Sequence, residues 1–163
     1  MPFSSCSTCT QSGRVVGVAA LCVVAAAIID RHGRVLVAQR GAPPALAGRW
    51  EFPGGKLDNG ETEHAGLVRE CAEELGVIVA PEDLLGDVPI PGGLRLRVWT
   101  AHIVRGEPTP TEHRELRWVT SGELDDLDWL EPDRPLLDPL KRLLALSTSD
   151  LRTPGPNARD RSS

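Results

Sequence analysis

Glu70, Glu73 and Glu74 stand at the i, i+3, i+4 spacing that gathers side chains on one face of a helix. Like charges held that close repel and weaken a helix. A solvated face would interleave lysines, but the cations nearby are Arg69 and Arg49. A divalent cation is the simplest way to make such a cluster favourable. Its all-oxygen donors select Mg²⁺, Mn²⁺ or Ca²⁺ over zinc. Upstream, Pro53-Gly54-Gly55 forms a loop whose backbone can approach a ligand closely, because glycine has no Cβ in the way.

The element that must carry these groups is marked at both ends. Thr62 fits an N-cap, Glu63 places an acid in the first turn, and Gly76 fits a left-handed C-terminal stop. Ala65, Val68, Ala72 and Leu75 are expected to form its apolar stripe, opposite the carboxylates. Gly66 falls on the carboxylate side and is expected to leave open space there.

From Gly55 to Val77 the chain reads GKLDNGETEHAGLVRECAEELGV, which resembles the Nudix box G-x5-E-x7-R-E-U-x-E-E-x-G-U, where U is a bulky apolar residue. Gly55, Glu61, Arg69, Glu70, Glu73, Glu74, Gly76 and Val77 match. Cys71 fills the first U position, a mild departure, since a buried thiol behaves as a small hydrophobe. The flanking WEFPGGK, Trp50 to Lys56, is similar to the MutT branch of that superfamily. The resemblance spans about residues 18 to 146.

That resemblance implies an α/β/α sandwich with a mixed sheet between helices. It also implies a Mg²⁺-dependent hydrolase, with Mn²⁺ as an alternative ion, that attacks a phosphoanhydride with water and converts a nucleoside triphosphate to monophosphate and pyrophosphate. By motif position, Glu70, Glu73 and Glu74 are metal ligands, together with the Gly55 carbonyl. Arg69 orients them and pairs with Glu61, a pair that would equally suit a purely structural role. MutT-like proteins add a carboxylate from a loop before a late strand; Glu112 fits that place, with Glu115 as runner-up. Arg40 and Lys56 are the phosphate contacts, and Arg49 is a weaker candidate. Phe52 and Trp50 offer aromatic faces for the base, although Trp50 equally suits the core. Asp133, before the last helix, stands where relatives that act on oxidised guanine often carry an amide. An ionised carboxylate is acceptor-only and suits an exocyclic amine, so (d)CTP is raised beside 8-oxo-dGTP; helix capping is the structural alternative for Asp133. Two other functions stay open: hydrolysis of ADP-ribose-like or dinucleoside polyphosphate substrates, and a non-catalytic nucleotide sensor. The sensor reading is disfavoured because all the box glutamates are present.

Length and composition set bounds on the rest. One domain is expected for 163 residues. A net charge of −5 argues against a nucleic-acid polymer, which needs a basic face, but allows a single nucleotide. The four cysteines lack a disulfide-framework pattern, and a reducing cytoplasm is expected. The Cys6-x-x-Cys9 pair has no second ligand pair to make a zinc site. The apolar run Val15 to Ile29 after Arg14 has a signal-peptide look, but it is too short to span a bilayer and suits a buried strand; no membrane partner is expected. Monomer and homodimer both stay open.

In chain order, residues 1–13 are expected to be a disordered extension, 14–146 the catalytic domain, and 147–163 a disordered tail. Val18 to Ile29 reads as a strand buried on both faces, Asp30 to Gly33 as a turn, and Arg34 to Arg40 as the hairpin partner. After the box, a short strand is expected over Val77 to Ala80, then a turn or helical turn over Pro81 to Gly86. Strands follow over Leu94 to Val104 and Glu115 to Val119. Thr120 to Glu123 is a capping-box pattern that opens a short helix. Pro135 to Leu146 is expected to be the second long helix, with Leu136, Leu140, Leu143 and Leu144 as its apolar stripe.

Overall fold

The computed structural model describes residues 22–150, and their side chains to residue 146. The expected N-terminal extension, the Cys6/Cys9 pair and residues 151–163 lie outside the described residues. The elements are β1 (Cys22–Ile29), β2 (Val35–Gln39), β3 (Trp50–Glu51), β4 (Gly54–Lys56), α1 (Glu63–Leu75), β5 (Ile78–Ile90), β6 (Leu94–Arg105), β7 (Glu115–Val119) and α2 (Leu137–Asp150). They form a seven-stranded sheet in the order β3-β2-β1-β6-β5, with β4 also pairing β1 and β7 also pairing β2. The β1–β6 pair is parallel and the other strand pairs are antiparallel. This is the mixed sheet between helices that the sequence leads one to expect.

β1 explains the layering. Val24, Ala26 and Ile28 face one core, with Leu67, Cys71 and Leu75 of α1. Ala25 and Ala27 face the other, with Trp129, Leu140 and Leu144. A strand covered on both faces has no polar side, which is why its sequence does not alternate. The turn after it is closed by Gly33 at φ 71°, with Asp30 Oδ1 accepting from the backbone N–H of His32 (2.8 Å) and Arg34 (2.9 Å).

Several local expectations need correction. The buried stripe of α1 is Leu67, Cys71 and Leu75, at i, i+4, i+8; Ala65 is exposed. Leucines bury more apolar area than alanines, and the helix turns to sink them. Glu70 and Glu74 therefore flank the buried stripe instead of opposing it. Gly66 is buried against Leu57, with no open space: an added Cβ would collide with the Leu57 side chain and lie 3.0 Å from Glu61 Oε2. The turn expected over Pro81 to Gly86 is part of the 13-residue β5, whose register against β6 shifts between Pro81 and Leu84 and again between Leu84 and Gly86. Proline and glycine there mark bulges in a strand at the end of the sheet order, where a missing N–H is tolerated. The last helix begins at Leu137, after one 3₁₀ turn over Arg134–Leu136, and runs past Leu146 to Asp150.

Candidate active site

Helix α1 starts and stops as its sequence dictates. Thr62 Oγ1 accepts from the Ala65 N–H at 3.2 Å, and Gly76 ends the helix at φ 70°. The last carbonyls of a helix lack intrahelical donors. Here the loop before β7 supplies them: Thr109 N–H donates to Leu75 O (3.0 Å) and Thr111 N–H to Glu74 O (3.1 Å). The other end of that loop is tied to β2, where Arg114 N–H donates to Gln39 O at 2.8 Å. These bonds fix Glu112 and His113 between the helix and the end of β2.

The result is a polar cleft of about 330 Å³, lined by Arg40, Glu51, Gly54, Glu74, Glu112 and His113 among others. Glu74 Oε2 accepts from the Gly54 N–H at 3.1 Å. Burial pushes the Glu74 carboxyl up to about 7, and the nearby negative charges of Glu70 and Glu51 add to the rise. Glu51 and His113 were not singled out by their sequence. Arg40 Nη1 donates to Glu51 Oε2 at 2.9 Å, and His113 Nε2 meets Glu51 Oε1 at 3.2 Å. Burial opposes a charge on His113, yet the bond to Glu51 and the field of Glu74 leave its pKa raised. The available signal was position: Glu51 lies within the WEFPGGK stretch, and His113 follows Glu112.

Beside the cleft, Arg69 binds Glu61 with both arms of its guanidinium, Nε to Oε1 at 2.9 Å and Nη2 to Oε2 at 2.8 Å. Its Nη1 reaches Glu70 Oε1 at 2.8 Å and Glu73 Oε2 at 3.4 Å, and Nη2 also donates to the Lys56 carbonyl at 3.1 Å. The Arg69 hydrogen bonds hold Glu61 down to about 2. Gly55 packs against the Glu70 carboxylate. Burial pushes Cys71 up to about 12, so it serves as an apolar residue between the two glutamates.

The remaining expected residues fall in different places. Lys56 is exposed on β4. Glu115 is paired with Arg117 at 2.7 Å, whereas Glu112 lines the cleft. Arg49 lies 3.9 Å from Asp128. Phe52, expected as a stacking face, is 3% exposed; its ring packs on Trp129 at 5.0 Å, inside the core. Trp50 is also core. Asp133 is 4% exposed and makes no capping hydrogen bond with its side chain; its Oδ1 accepts from Phe52 N–H at 3.3 Å. Burial pushes Asp133 up to about 7.

Among the described residues no three His, Cys, Asp or Glu side chains already converge as a metal cage. Arg69 holds Glu70 and Glu73, and Gly54 holds Glu74. The donor chemistry nevertheless fits a hard divalent cation: the carboxylates offer oxygen only, and Glu74 sits where burial and like charge disfavour its ionised form without a counter-ion.

A mixed sheet between two helices, with a glutamate-rich helix packed on a glycine turn, defines a hydrolase of the Nudix class. The NUDIX domain family matches residues 20–143, and the chain belongs to it. It is 50% identical over 133 residues to a Mycobacterium tuberculosis protein named "Putative 8-oxo-dGTP diphosphatase 2", covering 79% of this chain and 94% of that protein. It is 35% identical over 130 residues to the CTP pyrophosphohydrolase of Escherichia coli, covering 78% and 96%. Among solved structures, the Escherichia coli ORF135 protein is similar at a TM-score of 0.66 and 34% identity, over 77% of this chain and 91% of that one. The MutT protein of Methanosarcina mazei is similar at 0.66 and 26%, over 76% and 94%. The chain is thus a MutT-like Nudix hydrolase of pyrophosphate bonds with a nucleotide substrate, in a family that uses divalent metal ions. No helix among the described residues is long and apolar enough to cross a membrane.

Proposed function

We propose that this protein is a Mg²⁺-dependent nucleoside triphosphate pyrophosphohydrolase that removes 8-oxo-dGTP or (d)CTP from the cytoplasmic nucleotide pool. One observation carries the reading: Glu74 and Glu112, far apart in sequence, share a cleft with Arg40 and the Gly54 backbone. Two carboxylates beside a cation suit a metal-bound polyphosphate. Glu70, Glu73, Glu74 and Glu112 and the Gly55 carbonyl would hold the ion, which when bound neutralises phosphate oxygens and lowers the pKa of a coordinated water. Arg69 holds Glu70 and Glu73 through its own hydrogen bonds and would orient them for the ion. Arg40 has donors beyond the one committed to Glu51, and a guanidinium suits a phosphate. Lys56 adds an exposed point charge. Water attacks phosphorus, the anhydride P–O bond breaks, and monophosphate and pyrophosphate leave. Asp133, buried beside the Phe52 N–H, supports recognition of a base by a carboxyl that can stay neutral near pH 7.

The test is turnover of 8-oxo-dGTP, dGTP, dCTP, CTP and ADP-ribose by the pure protein with Mg²⁺, reading monophosphate and pyrophosphate. Pyrophosphate release from 8-oxo-dGTP or a cytidine triphosphate supports the reading. Cleavage of ADP-ribose with no triphosphate turnover overturns it.

A further inference from the structure

His113 has one ring nitrogen explained and one not. Its side chain is 7% exposed. Nε2 faces Glu51 Oε1 at 3.2 Å, and a carboxylate only accepts, so Nε2 carries a proton. Nδ1 is buried and has no hydrogen-bond partner. A buried polar atom left unpaired costs free energy, so it is retained only where something meets it.

The ring cannot easily turn away to satisfy Nδ1. The backbone on either side is tied down, Thr111 N–H on Glu74 O at 3.1 Å and Arg114 N–H on Gln39 O at 2.8 Å. Glu51 is fixed from its other oxygen by Arg40 at 2.9 Å, so the ring's anchor is itself held. His113 lines the same cleft as Glu74, Glu112 and Gly54.

We propose that His113 is a substrate-contacting residue, its Nδ1 forming a hydrogen bond to the nucleoside triphosphate seated in the cleft. This rests on the triphosphate reading above. Glu51 sets the ring with its proton on Nε2, so Nδ1 accepts, and the nucleotide supplies the missing donor, a sugar hydroxyl.

Histidine can be divided chemically. His113→Gln keeps a nitrogen within reach of Glu51 and deletes the one at Nδ1. His113→Asn keeps an amide at the place of Nδ1, whose oxygen can accept a hydroxyl proton, and deletes the contact to Glu51. The expected result is that His113→Gln melts as the wild type does while kcat/KM for dCTP or 8-oxo-dGTP falls by about 10- to 100-fold. His113→Asn should retain more activity than His113→Gln. Wild-type kcat/KM in His113→Gln overturns the proposal, as does a loss in His113→Asn at least as large. With 2′,3′-dideoxy-CTP, which lacks the sugar hydroxyls, the wild type should show a defect equal to that of His113→Gln, and full wild-type activity overturns the proposal. A second reading is independent of turnover: the Nδ1 nitrogen resonance should shift when dCMP or dGMP is added, and no shift with either bound also overturns the proposal. A shift without hydrolysis of any triphosphate would uphold the contact and sink the hydrolase reading instead.

Discussion

Gly55 lies so close to the Glu70 carboxylate that a methyl group added at Gly55 would sit 2.5 Å from both of its oxygens. The glycine turn is pinned from the other side, where Gly54 and Gly55 pair with Ala25 and Val24 of the buried strand β1. The carboxylate must therefore move if a side chain is added.

Gly55→Ala should fold, because what it displaces is the end of a flexible side chain. Its kcat should fall by about 10²-fold, since small misplacements of catalytic groups cost that much. Thermal melting and single-turnover kinetics on the same sample separate the two effects. Unchanged kcat would mean that Glu70 works from another position.

The Glu61–Arg69 pair predicts an acid limb of stability. Glu61 is held at about 2, against an ordinary 4.5, first by the Arg69 hydrogen bonds. A depressed carboxylate contributes stability that is present above the ordinary value and lost as pH falls toward 2. Melting temperature should drop through that window in the wild type and drop less in Glu61→Gln and Arg69→Ala. Identical slopes in all three would show that the pair is not what acid breaks.

Helix α1 was legible because its signals are local. Thr62, Gly76 and the spacing of Glu70, Glu73 and Glu74 each act within a few residues. Its rotation was not, because burial of Leu67 and Cys71 depends on what the sheet presents to it. The long β5 was hidden for a related reason: Pro81 and Gly86 read locally as a turn, and only pairing with β6 makes them bulges. The cleft itself was half visible. Glu112 was placed by analogy, while Glu51 and His113 gain meaning only when the loop before β7 is tied to Leu75, Glu74 and Gln39. Phe52 failed as a stacking face because a sequence does not say which side of the sheet holds the larger core.

Asp133 predicts a second, opposite pH dependence. Burial raises it from an ordinary 3.8 to about 7. The folded state then keeps a proton that the unfolded chain releases, so its contribution is full at low pH and is lost as pH rises through 7. Asp133→Asn should flatten melting temperature between pH 4 and pH 7. It should also change the kcat/KM ratio of dCTP to 8-oxo-dGTP, because an amide cannot ionise to the acceptor-only form that a carboxyl takes. Equal kcat/KM ratios for dCTP and 8-oxo-dGTP in variant and wild type would remove Asp133 from base reading.

Glu112 and Glu115 make opposite predictions although they stand three residues apart. Glu112 lines the cleft with Glu74, whereas Glu115 is exposed enough to pair with Arg117 at 2.7 Å on β7. Exposed pairs contribute little. Glu112→Gln should lower kcat by about 10²-fold or more, the usual size of a lost proton-transfer or water-orienting group. Glu115→Gln should leave kcat unchanged. Thr111 supplies a control, because its N–H on Glu74 O holds the loop that carries Glu112. Thr111→Ala keeps that N–H and should keep activity, while Thr111→Pro removes it and should lower kcat in the direction of Glu112→Gln. A large loss in Glu115→Gln with none in Glu112→Gln would transfer the role to Glu115 and require the loop to rearrange when substrate binds.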